Sequence, residues 1–172
     1  IMFRLHCNAM IEDCSVRKKH PIVRVVIEIP KGSFLKRGSN QHVDFISPFP
    51  CPFNYGSVPT HIGGEGDLLD AVVLGPKLYL GQIVSLPARG AVGLHERFMY
   101  DDKLICSQEP LTPTQKQNVL WFFHFYARCK GFLNVIRGQQ GKSWCSGWGE
   151  AQTAIDRAKP ITSCWKGPGI SY

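Results

Sequence analysis

The sequence predicts a mainly β fold with peripheral helices, of the α+β class. The 17 Gly and 12 Pro among 172 residues suit a chain of turns and short strands rather than a helix bundle. Short β-branched runs bounded by turn residues recur at 22–29, 71–74 and 83–86. Only one segment carries the period and the caps of a long helix, and it starts at Thr112.

Taken in order, residues 1–20 are mixed and charged with no period, and read as a basic arm. The run Ile22-Val23-Arg24-Val25-Val26-Ile27-Glu28-Ile29 is a strand stopped by Pro30, with Glu28 as its one carboxylate. Lys31 to Ser39 reads as a basic loop or short hairpin, and 43–46 as a short strand. Three prolines make 47–56 extended and irregular. Asp70 opens an apolar strand through Leu74. Strand pieces follow at 83–87 and 90–94, and another at 104–106.

The helix has a Thr112 N-cap, Pro113 at its first position and Gln115 at its third, the pattern of a capping box. Val119, Leu120, Phe122, Phe123 and Tyr126 form its apolar face, and Gly131 is the expected stop. Arg128 and Lys130 then sit in the last turns, where cations favour the helix dipole. A second, shorter helix is expected from Trp148 to Lys159, and a loose tail over 160–172. The organisation is therefore one domain, 21–159, between an arm and a tail.

Composition excludes several classes. No run approaches the ~20 apolar residues of a membrane span. Residues 1–13 lack an apolar core followed by a cleavage site, so the expected location is cytoplasmic. Seven cysteines are dispersed without a C-x-x-C pair, which argues against a disulfide framework or zinc site and for reduced, mostly buried thiols. The net charge of +7 suits a polyanionic partner. Only Arg17-Lys18-Lys19-His20 is dense, so nucleic acid is not the expected one.

The chemistry concentrates in Gly63-Gly64-Glu65-Gly66-Asp67-Leu68-Leu69-Asp70. Glycines let this acidic loop bend, and a rigid strand pins its last carboxylate, so several oxygens can converge on one hard cation. It is not an EF-hand, because the twelfth position from Glu65 is Pro76. A second acidic cluster, Glu96 with Asp101 and Asp102, lies at a strand-to-strand connection. The Gly141-Lys142-Ser143 triplet is no P-loop, since the Gly that pattern needs falls on Ile136.

The order of these features resembles the soluble family I inorganic pyrophosphatases, over roughly residues 23–155. The matching marks are Ile27-Glu28-Ile29-Pro30, Asn54-Tyr55-Gly56, the acidic loop, Asp101-x-Lys103, and the helix bearing Phe122-Phe123 and Tyr126. The family's Asp-x-Asp-x-x-Asp signature here reads Glu65-Gly66-Asp67-Leu68-Leu69-Asp70.

The resemblance implies a five-stranded OB-like barrel with helices outside it. It also implies magnesium-dependent hydrolysis of pyrophosphate to two phosphates, by in-line attack of a metal-activated water, with several Mg2+ per site. Glu65, Asp70 and Asp101 would hold the first metal, Glu96 and Asp101 would reach further metals, and Glu28 would stand in the outer shell. Asp67 would help deprotonate the water, while Lys36, Tyr55, Lys103 and Tyr126 would face phosphate oxygens. Six of the 13 acidic residues would share one site, a crowding that cations relieve. A homo-oligomer is implied, with a hexamer favoured over a dimer.

The chain departs from the family pattern at two metal positions and on the phosphate side. Glu65 and Glu96 stand where Asp is usual, Gly38 where an acidic residue is usual, and Ala127 where a Lys is usual, with Arg128 next to it. The Arg expected before Asn54 has no counterpart, and Arg37 is its candidate substitute. These departures keep two alternatives open. One is a related nucleotide or polyphosphate hydrolase, the other a degenerate OB-like barrel that binds without catalysis.

Overall fold

A computed structural model describes residues 19–37, 43–46, 49–96, 99–136 and 143–161. For residues 36, 37, 43–46, 96 and 132–136 it describes the backbone alone. The elements in chain order are β1 (Ile22–Ile29), β2 (Leu35–Arg37), β3 (Val43–Ile46), β4 (Asn54–Ile62), β5 (Leu68–Val73), β6 (Ile83–Glu96), β7 (Met99–Tyr100), β8 (Lys103–Cys106), α1 (Pro113–Ile136), β9 (Ser143–Gly149), α2 (Ala151–Arg157) and β10 (Lys159–Pro160). Strands pair in the order β1-β4-β5-β8-β6, and β1 pairs with β6, which closes a five-stranded barrel. β2 and β3 form a separate hairpin. The mainly β fold with a five-stranded barrel and outer helices is thus the one expected.

Strand alternation divides the barrel into two faces. Val23, Val25 and Ile27 of β1, Val58 of β4, Leu69 and Ala71 of β5 and Leu104 of β8 fill one core, which also takes in Ala151, Ala154 and Ala158 on and just after α2. The intervening residues Val72, Val92, Leu94 and Ile105 meet Val119, Phe123 and Ala127 of α1 in a second cluster. Burying a Leu or Phe in such clusters stabilises by about 1.5–3 kcal/mol each. Glu28, Asp70 and Lys103 alternate with the first core's residues Ile27, Leu69, Ala71 and Leu104 along their strands and do not belong to that core.

Several local expectations are corrected. The proline-rich segment gives way to strand at Asn54, where β4 begins, rather than staying irregular through Gly56. The two pieces expected at 83–94 are one strand, β6, because bulges at Ala88/Gly90 and Gly93/Leu94 let it serve successive partners. Trp148 lies in β9 and not in a helix, and α2 starts only at Ala151. The capping box of α1 is present: Gln115 N–H donates to Thr112 Oγ1 at 3.1 Å and Thr112 N–H to Gln115 Oε1 at 2.9 Å. Gly131 does not stop α1, which continues to Ile136, so Arg128 and Lys130 lie inside the helix and not in its last turn. Pro160 pairs with His61, and Ile161 N–H donates to Thr60 O at 2.9 Å, so the chain stays on the barrel where a loose tail was expected to begin. Residues 1–18 of the arm and 162–172 of the tail lie outside the described residues.

The thiols are less buried than expected. Cys106 is buried, Cys51 and Cys145 are half-buried and Cys129 is exposed, all four free. Cys7, Cys14 and Cys164 lie outside the described residues. No described helix is long and apolar enough to cross a membrane.

Candidate active site

The barrel strands lay the site out in a row. Val26 of β1 pairs with Ser57 of β4, Ser57 pairs with Asp70 of β5, and Asp70 pairs with Lys103 of β8. Partners in register project to the same face. Ser57 Oγ donates to Glu28 Oε1 at 2.7 Å, which ties the carboxylate of β1 to this row.

Gly56 explains why the strands approach so closely here. A Cβ at Gly56 would lie 1.9 Å from the Val26 carbonyl oxygen, so no other residue fits without moving β1. The preceding Asn54 is fully buried and joins three segments. Its Oδ1 accepts from Lys31 N–H at 3.0 Å and Leu78 N–H at 2.9 Å, while its Nδ2 donates to Pro76 O at 2.8 Å and Val73 O at 3.3 Å. Asn54 is therefore structural, Gly56 is a close-approach position, and Tyr55 between them is the residue that faces the site.

At the centre, Lys103 is only 4% exposed and its ammonium forms ion pairs with Asp70 Oδ2 and Asp101 Oδ1. Burial alone would lower the Lys103 pKa. The attraction of Asp70, Tyr55 and Asp101 outweighs it and holds the pKa well above its ordinary 10.5. The ammonium also stands 6.0 Å from the centre of the Tyr55 ring. Burial first, then the charge of Asp70, pushes the Tyr55 phenol well above its usual 10, so its hydroxyl remains a proton donor.

The acidic loop adjoins this centre. Gly63 N–H donates to Asp67 O at 2.7 Å and Gly66 N–H to Gly63 O at 3.1 Å, with Gly66 at φ 93°, as a glycine-dependent turn requires. Glu65 is half-buried and Asp67 exposed. A small cleft on the other side of Asp101 is lined by Tyr126 and Lys130 of α1, His95 of β6 and Trp144 of β9. Tyr126 is 38% exposed, with Lys130 Nζ 5.8 Å from its ring centre.

Of the expected site residues, the structure brings together Tyr55, Asp70, Asp101 and Lys103, sets Tyr126 on the cleft beside Asp101, and ties Glu28 into the row through Ser57. Glu96 ends β6 and Lys36 and Arg37 lie on β2, their side chains outside those described. Arg128 is exposed on α1. Reading the sequence missed Ser57, which alternation would have assigned once β4 was known. It placed Asp102 in the second acidic cluster but gave no partner for it; its buried carboxylate pairs with Arg157 at 2.9 Å. Burial raises the Asp102 pKa, with Arg157 opposing.

The donor set suits a hard divalent cation. Asp70 and Asp101 already share one cationic partner, Lys103, and carboxylate oxygens are the ligands such a cation prefers. Among the described residues no three His, Cys, Asp or Glu side chains are gathered closely enough to hold a metal by themselves.

The barrel topology and the ion-paired cluster do not by themselves fix a function, and the comparisons supply the family. The inorganic pyrophosphatase family model matches residues 25–165, and the chain belongs to that family. It is 27% identical over 151 residues to the inorganic pyrophosphatase of Saccharolobus solfataricus, covering 80% of this chain and 88% of that one. A 30% identity over 105 residues links it to the Gluconobacter oxydans inorganic pyrophosphatase, over 56% and 61% of the two chains. In fold it is similar to the Thermus thermophilus inorganic pyrophosphatase, with TM-score 0.64, 23% identity and coverage of 79% and 86%. The family uses a divalent metal cofactor.

Proposed function

We propose that this chain hydrolyses inorganic pyrophosphate to two phosphates with Mg2+ as its cofactor. Family membership and the convergence of Asp70 and Asp101 on one buried cationic position carry the reading. The residues that would hold metal are Glu65, Asp70 and Asp101, with Asp67, Glu96 and Glu28 serving further ions or the outer shell. Bound Mg2+ supplies positive charge that acidifies the attacking water and neutralises phosphate oxygens.

The remaining roles belong to the protein. Asp67, exposed on its turn, takes the proton of the attacking water. The new P–O bond forms opposite the bridging oxygen, whose bond to phosphorus breaks, and the two phosphates separate. Tyr55 donates a hydrogen bond from a phenol that stays protonated. Lys103 and Tyr126, with Lys36, Arg37 and Arg128 less directly, hold phosphate oxygens. In-line transfer of this kind depends mainly on such positioning and electrostatics. The net charge of +7 draws in the tetra-anionic substrate.

Phosphate release from pyrophosphate, tripolyphosphate and nucleoside triphosphates tests the substrate. Turnover of pyrophosphate well above the others supports the proposal, and preference for a nucleotide contradicts it. We further propose a cytoplasmic homo-oligomer, most simply a hexamer, which sedimentation would show directly.

A further inference from the structure

We infer that Arg157 is a positioning residue that holds the two metal-binding acidic segments in register; this rests on the metal-site reading above. Arg157 lies at the end of α2, and its guanidinium does two things. It pairs with Asp102 Oδ2 at 2.9 Å, and it stands 4.7 Å from the centre of the Tyr100 ring. Both partners belong to the Tyr100-Asp101-Asp102-Lys103 segment, so Arg157 grips the chain on either side of Asp101.

Tyr100 reaches further. A Cβ at Gly64 would lie 2.5 Å from the Tyr100 carbonyl oxygen, so the acidic loop rests against the backbone of the residue whose ring Arg157 covers. His95 also meets Tyr100 at 4.7 Å and stacks on Trp144 at 4.4 Å, with those two ring planes 6° apart. The Asp101 N–H donates to Leu94 O at 2.9 Å, completing the clamp. Arg157 therefore fixes the distance between the loop of Glu65 and Asp67 and the strand end of Asp101. A guanidinium suits the task, because one planar group serves a carboxylate and a ring face together. Asp102 is buried and Arg157 is 41% exposed at its side chain, so the pair is anchored at the site end and open at the helix end.

The test is Mn2+ binding to the full chain, followed by the spin-resonance signal of free Mn2+, beside kcat and KM for pyrophosphate at saturating Mg2+. Arg157→Ala is expected to weaken metal binding about tenfold, the usual scale for residues that support ligands. KM at saturating metal should stay unchanged. Arg157→Lys keeps the ion pair and loses the planar contact, so a loss of about threefold is expected, and this variant decides the matter if Arg157→Ala does not fold. Asp156→Ala, on the exposed side of the same helix, should bind Mn2+ as the wild type does. Wild-type metal affinity in folded Arg157→Ala, or in Arg157→Lys should the alanine variant not fold, with only the melting temperature lowered, would overturn the positioning role alone. A wild-type protein with no saturable Mn2+ binding would overturn the metal-site reading, and this inference with it.

Discussion

Lys103 lies directly opposite Asp70 in the parallel pairing of β5 with β8, and their side chains form a buried ion pair that Asp101 completes. The carboxylates that would ligate metal are thus kept together by a protein cation. Removing it leaves two like charges with little water around them.

Lys103→Met should therefore destabilise the metal-free protein by about 3 kcal/mol, the lower end of breaking a buried pair because Asp70 keeps some solvent. Added Mg2+ should raise the melting temperature of this variant more than that of the wild type. The sign of the pH dependence follows from the raised Lys103 pKa. The stabilisation is complete below the ordinary value of 10.5 and lost only as pH climbs through the higher folded value. Melting curves in chelator from pH 7 to 10 should show no loss of this contribution.

Gly56→Ala places a methyl group 1.9 Å from the Val26 carbonyl. Either β1 or β4 must shift, at a cost of about 3 kcal/mol. Urea denaturation should show that loss, whereas alanine at Gly32, whose Cβ would meet nothing within 4 Å, should cost far less despite its φ of 83°.

The thiols should separate cleanly by reactivity. Burial pushes the Cys106 pKa up to about 12, so it stays protonated and inert, while Cys129 is exposed on α1. Mass spectrometry after iodoacetamide at pH 8 should find Cys129 alkylated in the native protein and Cys106 only after unfolding.

The acidic loop and the β1 carboxylate were legible in the sequence because strand alternation and glycine spacing are local. Glu28 could be seen as the polar member of a β-branched run, whereas Asp70, expected to open its strand, is the third residue of β5, which starts at Leu68. β4 and β9 were hidden for the same reason in reverse. Asn54–Ile62 and Ser143–Gly149 carry Gly, Pro, Ser and Trp with no clean period, and pairing of β4 with β1 and β5 and of β9 with β6 overrides their weak local preference. Gly131 misled because a glycine inside a helix costs only about 1 kcal/mol, which packing of α1 on β9 offsets. The Arg157–Asp102 pair was out of reach, since no local pattern links the end of α2 to the strand connection before β8.

The most direct measurement is phosphate release from pyrophosphate with and without Mg2+, run beside Asp67→Asn. Asp67 is exposed on its turn, so the variant should fold normally. Metal-dependent turnover that falls about 100-fold or more in the variant is the predicted result. Turnover that survives the substitution would contradict the role given to the acidic loop, and no metal-dependent turnover in the wild type would contradict the proposed activity itself.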